Sequence, residues 1–259
     1  IVAPYTSQLT LGIQREIFKG WVTSIDGVWT KGYHLIRQEN KNATIPGTYD
    51  PLTGARQRYM DNNLGNQFYE TDNGRSEYKG ILINVVKRYS RGWSLEASYT
   101  LSWGKADVEE EYIGQAQNDD FEWKREYGYI NTDARHRIIV NAIVDLPLKF
   151  QLSGIFRYNS AYPWTAVWGY DHNLDDNYGD YYDQVRNSRR GFDFLQLDLR
   201  LTKYIGFDRF LLQLFAEFYN ITNRANFTTI FSVYGTPDFG KPIAAADPRL
   251  VQLGVRFDF

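Results

Sequence analysis

Cysteine is absent from all 259 residues, which excludes thiolate metal sites, disulfide staples and thiol nucleophiles. Histidine is scarce: His34, His136 and His172 stand far apart, with no zinc-ligand spacing among them. No Ser sits in a Gly-x-Ser-x-Gly elbow. No stretch approaches the roughly 18 apolar residues of a membrane-crossing helix, and mean hydropathy is −0.50. The net charge of −2 supplies no global field for nucleic acid, and no basic stripe with interleaved aromatics appears. Asp133 beside His136 has the look of a dyad. Both stand where a loop enters a strand, however, and Arg135 and Arg137 offer ion-pair partners there. The sequence reads as a protein that is not an enzyme.

Aromatic residues are in excess at 17%, with 20 Tyr, 16 Phe and 7 Trp. High aromatic content with low hydropathy and no apolar helix fits a transmembrane barrel, whose lipid face uses only every second residue. A soluble all-β protein shares that composition. Alternation decides between them. The last residues set Val251, Leu253, Val255, Phe257 and Phe259 on one side of a strand, with Gln252, Gly254, Arg256 and Asp258 on the other. Period-two patterning predicts nine such strands, at about 6–17, 20–36, 75–88, 93–103, 135–144, 148–162, 194–203, 209–222 and the C-terminal run. The cleanest is the fourth, with Trp93, Leu95, Ala97, Tyr99, Leu101 and Trp103 against Ser94, Glu96, Ser98, Thr100 and Ser102.

The connections alternate between short turns near residues 18–20, 89–92, 145–147 and 204–208 and long segments at 38–74, 105–132, 169–192 and 223–247. Outer-membrane barrels have this asymmetry, with short periplasmic turns and long extracellular loops. Aromatics gather near strand ends as girdles would: Trp21, Tyr89, Trp93, Tyr204 and Phe207 below, Trp103, Tyr162, Trp164 and Trp168 above. Nine is an odd number, and an open edge of lipid-facing strands has unpaired backbone groups. With no leader before Ile1, the expectation is a fragment: the C-terminal portion, residues 1–259, of a larger antiparallel barrel in the bacterial outer membrane.

Three motifs carry a family likeness. They are Asp133-Ala134-Arg135-His136-Arg137, Tyr99-Thr100-Leu101-Ser102-Trp103, and the run from Leu214 through Asn220-Ile221-Thr222-Asn223-Arg224-Ala225-Asn226-Phe227. With Asp247-Pro248-Arg249 and the closing strand, they resemble the C-terminal half of TonB-dependent receptors, nearest the Oar-like group with a carboxypeptidase-regulatory-like domain. The resemblance implies a plugged barrel of about 22 strands that takes up a ligand with force transmitted by TonB. Plug, TonB box and the remaining strands would lie upstream of Ile1. It implies as partners the protein's own plug, the TonB complex, outer-membrane lipid and lipopolysaccharide, and the barrel-assembly machinery, which would read Phe257 and Phe259 as a terminal signal. A passive porin-type channel and a surface adhesion or structural protein remain as rival readings. The family names no ligand.

Charged strand residues Glu96, Asp145, Arg157, Asp198, Arg200, Glu217, Arg256 and Asp258 occupy the face opposite the apolar one, as expected of a lumen. Asp171, Asn173, Asp175 and Asp180 place oxygens at near-alternate positions and are the candidate Ca²⁺ ligands. The spacing departs from the EF-hand template, lacking its Gly and its terminal Glu. No other cofactor is expected. The acidic run from Asp107 to Glu111 reads as a solvated loop. Trp164, Trp168 and Tyr170 can stack on sugar or peptide or serve as girdle residues. The Asn-x-Thr sequences at Asn42, Asn220 and Asn226 are chance matches to a glycosylation pattern in such a setting.

Overall fold

The computed structural model describes residues 1–108, 123–176 and 179–259. Nine long strands among these residues form the main sheet: β1 (Tyr5–Phe18), β2 (Trp21–Asn40), β3 (Phe68–Ser90), β4 (Trp93–Ala106), β5 (His136–Leu146), β6 (Phe150–Asn159), β7 (Phe194–Phe207), β8 (Phe210–Tyr219) and β9 (Leu250–Asp258). Each pairs antiparallel with the next in chain order, so the sheet is a plain up-and-down meander. A short segment, Gly128–Tyr129, extends the outer end of β4. In this topology the four short turns lie at one end and the four long connections at the other.

Turn chemistry fixes the short end. Between Ser90 and Trp93, Arg91 and Gly92 both take positive φ (55° and 81°), the two-residue hairpin that follows the right-handed strand twist. Leu148, expected to open the sixth strand, instead turns with φ 61°, and β6 begins at Phe150. At the long end, β2 and β3 run on to Asn40 and start at Phe68, well beyond the expected 36 and 75. β6 stops at Asn159 rather than 162. β8 stops at Tyr219 rather than 222, because Asn220 turns left-handed with φ 47°.

Register carries the alternation across the sheet. Ile83 pairs with Tyr99, Tyr99 with Ile138, Ile138 with Tyr158 and Tyr158 with Leu195, all on one apolar face. Glu96 pairs with Asn141, Asn141 with Ile155 and Ile155 with Asp198 on the other. Leu95, Ala97, Tyr99 and Leu101 therefore share a face, opposite Glu96, Ser98 and Thr100. No water-soluble core forms: among the described residues the buried apolar side chains are Ala43, Ala106, Ala134 and Ala166 alone. The large aliphatics of the apolar face are open, with Leu253 at 77% and Leu11 at 72% exposure. A sheet whose apolar side has nothing packed on it needs an apolar solvent.

Candidate functional site

Two regions hold the polar and aromatic chemistry: the polar face of the wall and the cap built by the long connections. On the polar face the register brings opposite charges together. Arg157 on β6 reaches Asp198 on β7 at 2.6 Å, and Arg200 on β7 reaches Glu217 on β8 at 3.1 Å. Arg256 pairs with Asp258 at 2.8 Å, and Gln213 donates to the same carboxylate. Asp145 accepts from Gln151 and from the Tyr89 hydroxyl at the short-turn end. Glu96, Asp198, Arg200 and Glu217 line a hollow of about 630 Å³, together with Ile143 and Ile155. Those isoleucines sit on the polar face by register with Ser94, Ser153 and Asn141, a mixed surface that alternation alone did not reveal. Tyr204, expected in the lower girdle, also lies on this face, where its hydroxyl donates to Gln151.

The cap rests on buried polar anchors. Asn42, fully buried, accepts from the Met60 and Asp61 amides and donates to the carbonyls of Asp61, Leu64 and Gly65, folding the 41–67 connection onto itself. Asn220 donates to the carbonyls of Arg224 and Asp247, while Asn226 makes a two-way bond with the Leu195 backbone. Arg249 N–H donates to Asn223. The Asn220–Asn226 motif is thus a clasp joining the tops of β7, β8 and β9. Asp133, with a fully buried side chain, accepts from Gly104 N–H at 2.7 Å and pairs with Arg135 and Arg190. Arg190 is 57 residues away, and sequence spacing gave no sign of it. His136 instead meets the Tyr99 hydroxyl at 2.8 Å, so Asp133 and His136 form no dyad.

The acidic segment at 171–180 is likewise occupied. Asp171 accepts from the Asp175 and Asp176 amides, and Asp180 accepts from the His172 and Asn173 amides. Asn173 donates to Asp175, and Arg56 of the 41–67 connection pairs with Asp171 at 3.3 Å and Asp176 at 2.6 Å. These contacts are turn-forming and loop-joining. Among the described residues no cluster of three His, Asp or Glu is arranged around a metal. Asp107 is buried rather than solvated: it accepts the Arg75 amide and pairs with the Arg75 side chain, and burial pushes its carboxyl above the ordinary range. Glu109, Glu110 and Glu111 lie outside the described residues.

Above these anchors sits an aromatic cluster. Val167 bridges to Tyr181 and to Val233, joining the 160–193 and 220–249 connections. Trp168 stacks on His172 at 4.4 Å between centroids and meets Tyr182 and Tyr234 edge-on at 4.9 and 5.3 Å. Tyr182 and Tyr234 stack in turn, and Tyr234 leads to Phe239 and Phe239 to Trp164. Arg189 lies within 6 Å of the Trp164, Tyr182 and Phe239 rings and forms a 2.6 Å ion pair with Asp183. That bond holds the Asp183 carboxyl below its ordinary value. Trp164 and Trp168, expected among girdle residues, belong to this loop cluster. Tyr170 borders it, half exposed, 5.8 Å from Trp168.

A family model described as an outer membrane beta barrel domain matches residues 1–185. The chain belongs to that family. It is a component of the bacterial outer membrane, and its meander is barrel wall. No curated protein is matched by the sequence. Among solved structures, the fold is similar to the outer membrane transporter YddB from Escherichia coli, at TM-score 0.62 and 13% identity over 97% of this chain and 32% of that one. It is also similar to the pyoverdine outer membrane receptor FpvA from Pseudomonas aeruginosa, at TM-score 0.61 and 14% identity over 99% of this chain and 30% of the receptor. The FrpB iron transporter from Neisseria meningitidis aligns at TM-score 0.52 and 13% identity, over 97% of this chain and 31% of the other. The chain spans about a third of the length of each.

Proposed function

We propose that this wall belongs to a TonB-dependent uptake receptor of the Oar-like group, with the polar face lining the lumen and the interlocked long connections facing the cell exterior as the ligand-capturing surface. One observation carries the reading. The sheet has a wet, mixed-charge face and a bare apolar face, capped at only one end by loops that bind one another. A lumen that lodges a plug domain asks for paired, mixed-sign charge and some apolar surface. Arg157–Asp198, Arg200–Glu217, Arg256–Asp258, Glu96 and the isoleucines of the hollow meet that need. The likeness of the fold to receptors and transporters supports the reading. The Trp168–Tyr182–Tyr234 cluster provides flat faces on which a ligand can stack, and the ligand is captured there before passage.

At the other end, Phe259 is 94% exposed and stacks on Phe257, which stacks on Phe210, and we propose this apolar row as the surface that barrel-assembly machinery reads. In the full-length protein, uptake of the ligand should stop in a strain without TonB and continue in its complemented parent. Uptake that persists without TonB favours a passive channel. Surface binding with no uptake in either strain favours an adhesion role.

A further inference from the structure

The apolar face carries one patch that neither transport nor assembly uses. Up β3, the apolar-face residues run Lys87, Val85, Ile83, Ile81, Lys79 and Glu77. At about 3.3 Å per residue the two lysines lie about 26 Å apart along the strand, close to the height of about 25 Å of a barrel's apolar band. Strand tilt shortens that distance along the membrane normal, and lysine stems make up the difference by snorkelling. Lys87 turns down to the Ser90 and Trp93 carbonyls and lies 3.9 Å from the Trp93 ring centroid, marking the lower rim. Lys79 marks the upper one.

The upper rim is cationic. One register row reads Ser7, Lys31, Glu77, Lys105 and Tyr129, and the row below it reads Leu9, Trp29, Lys79 and Trp103. Three lysines thus face one carboxylate on three adjacent strands. Glu77 is already engaged by Lys79 at 3.1 Å and by the Trp29 indole at 3.0 Å. Lys31 and Lys105 have no carboxylate within ion-pair distance among the described residues; each stands over a ring instead, 5.1 Å from Trp29 and 4.9 Å from Tyr129. The contrast with the polar face, where Arg157, Arg200 and Arg256 all have acid partners, is plain. Beneath the lysines runs a groove of about 850 Å³ between Leu9, Leu11, Trp29, Ile81 and Trp103. Its floor is open at Gly27, where a Cβ would meet nothing closer than the Leu11 carbonyl at 3.8 Å.

We infer that this groove is a binding site for a phosphorylated glycolipid of the outer leaflet, of the lipopolysaccharide class, with Lys31, Lys79 and Lys105 on its phosphates and an acyl chain along Gly27. Charge complementarity selects the headgroup, and the level at which the patch sits selects the source: lysines that outnumber carboxylates among the described residues, beside a lipid-facing apolar band, face headgroup phosphates. The site rests on the outer-membrane location and on the apolar face meeting lipid, and is independent of transport.

The test uses the full-length receptor in nanodiscs of zwitterionic lipid doped with bis-phosphorylated lipid A, dephosphorylated lipid A or phosphatidylglycerol, reading bound lipid by native mass spectrometry. Each lysine near anionic lipid is worth roughly fivefold in binding. A folded Lys31→Gln/Lys105→Gln variant should therefore retain bis-phosphorylated lipid A roughly 30-fold less well. Gly27→Phe, which fills the groove without touching charge, should also lose it, while Lys241→Gln in the 220–249 connection should not. Equal retention by wild type and the double variant, or equal binding of phosphorylated and dephosphorylated lipid A, would overturn the site. So would equal binding of phosphatidylglycerol.

Discussion

Wall and cap are held together by opposite means. In the wall, every long strand pairs with its chain neighbour, backbone ladders carry the structure, and the large side chains point outward. In the cap, little regular pairing exists, and fully buried amides such as Asn42, Asn220 and Asn226 do the joining. A wall in lipid must satisfy its backbone internally and leave its apolar groups bare. A cap in water has no lipid to lean on and too little apolar surface for a core, so it uses polar side chains to satisfy loop backbone. Substitutions should therefore act differently in the two regions.

The largest expected effect is in the wall. Leu197 sits on the apolar face in register with Phe156, which pairs with Val140. Leu197→Arg should cost about 2–4 kcal/mol of folding stability in lipid vesicles, while Gln196→Arg on the adjacent polar position should cost under about 1 kcal/mol. Guanidinium titration of both variants separates them, and equal losses would break the distinction between the faces.

In the cap, Asn220→Ala leaves the Arg224 and Asp247 carbonyls without their donor. Each orphaned group costs about 1–3 kcal/mol. Protease cleavage within 220–249 should accelerate accordingly, with the barrel's heat-modifiable mobility unchanged. The reverse outcome would mean that the clasp supports the wall itself. Tyr182→Ala removes a ring that touches Trp168 and Tyr234, and such ring pairs are worth about 0.5–1.5 kcal/mol beyond area. If this cluster captures ligand as proposed, ligand binding to intact cells should fall while the amount of folded barrel stays level.

The smallest effect is that of pH. Asp183 titrates below its ordinary value because Arg189 donates to it. A lowered carboxyl contributes stability that is fully present above the unfolded value, about 3.9, and is lost as pH falls through the lowered folded value. Tryptophan fluorescence of the cap should therefore hold steady from pH 7 to 5 and change only below about pH 4. Asp183→Asn should remove the share of that transition that the Arg189 pair contributes.

This contrast also decides what the amino-acid sequence reveals. In the wall, strands such as 93–103 are legible because lipid on one side and water on the other impose a period of two. Above the membrane both sides are water, so the tops of β2 and β3, with Glu39, Glu70 and Thr71, lose the contrast and carry no strand signature in sequence. Trp164 and Trp168 pass for girdle residues by composition, since nothing local distinguishes a ring facing lipid from one stacked within a cap. Asp133 looked paired with its neighbours, whereas Arg190, the partner it shares with Arg135, arrives through tertiary folding. The acidic residues at 171–180 read as candidate Ca²⁺ ligands by composition, and their bonds to backbone amides and Arg56 come from loop geometry that composition does not carry. Cap contacts are long-range and aperiodic, and pattern does not encode them.

Which face of the sheet meets lipid decides what is wall and what is lumen. The chain has no cysteine, so single cysteines at 95–101 can be spin-labelled one at a time in the barrel reconstituted in bilayers. Leu95, Ala97, Tyr99 and Leu101 should collide with membrane-dissolved oxygen and be shielded from a water-soluble relaxant. Glu96, Ser98 and Thr100 should show low oxygen accessibility, giving a period of two in phase with the apolar residues. Accessibility that peaks at Glu96, Ser98 and Thr100, or that does not alternate, would contradict the assignment of wall and lumen.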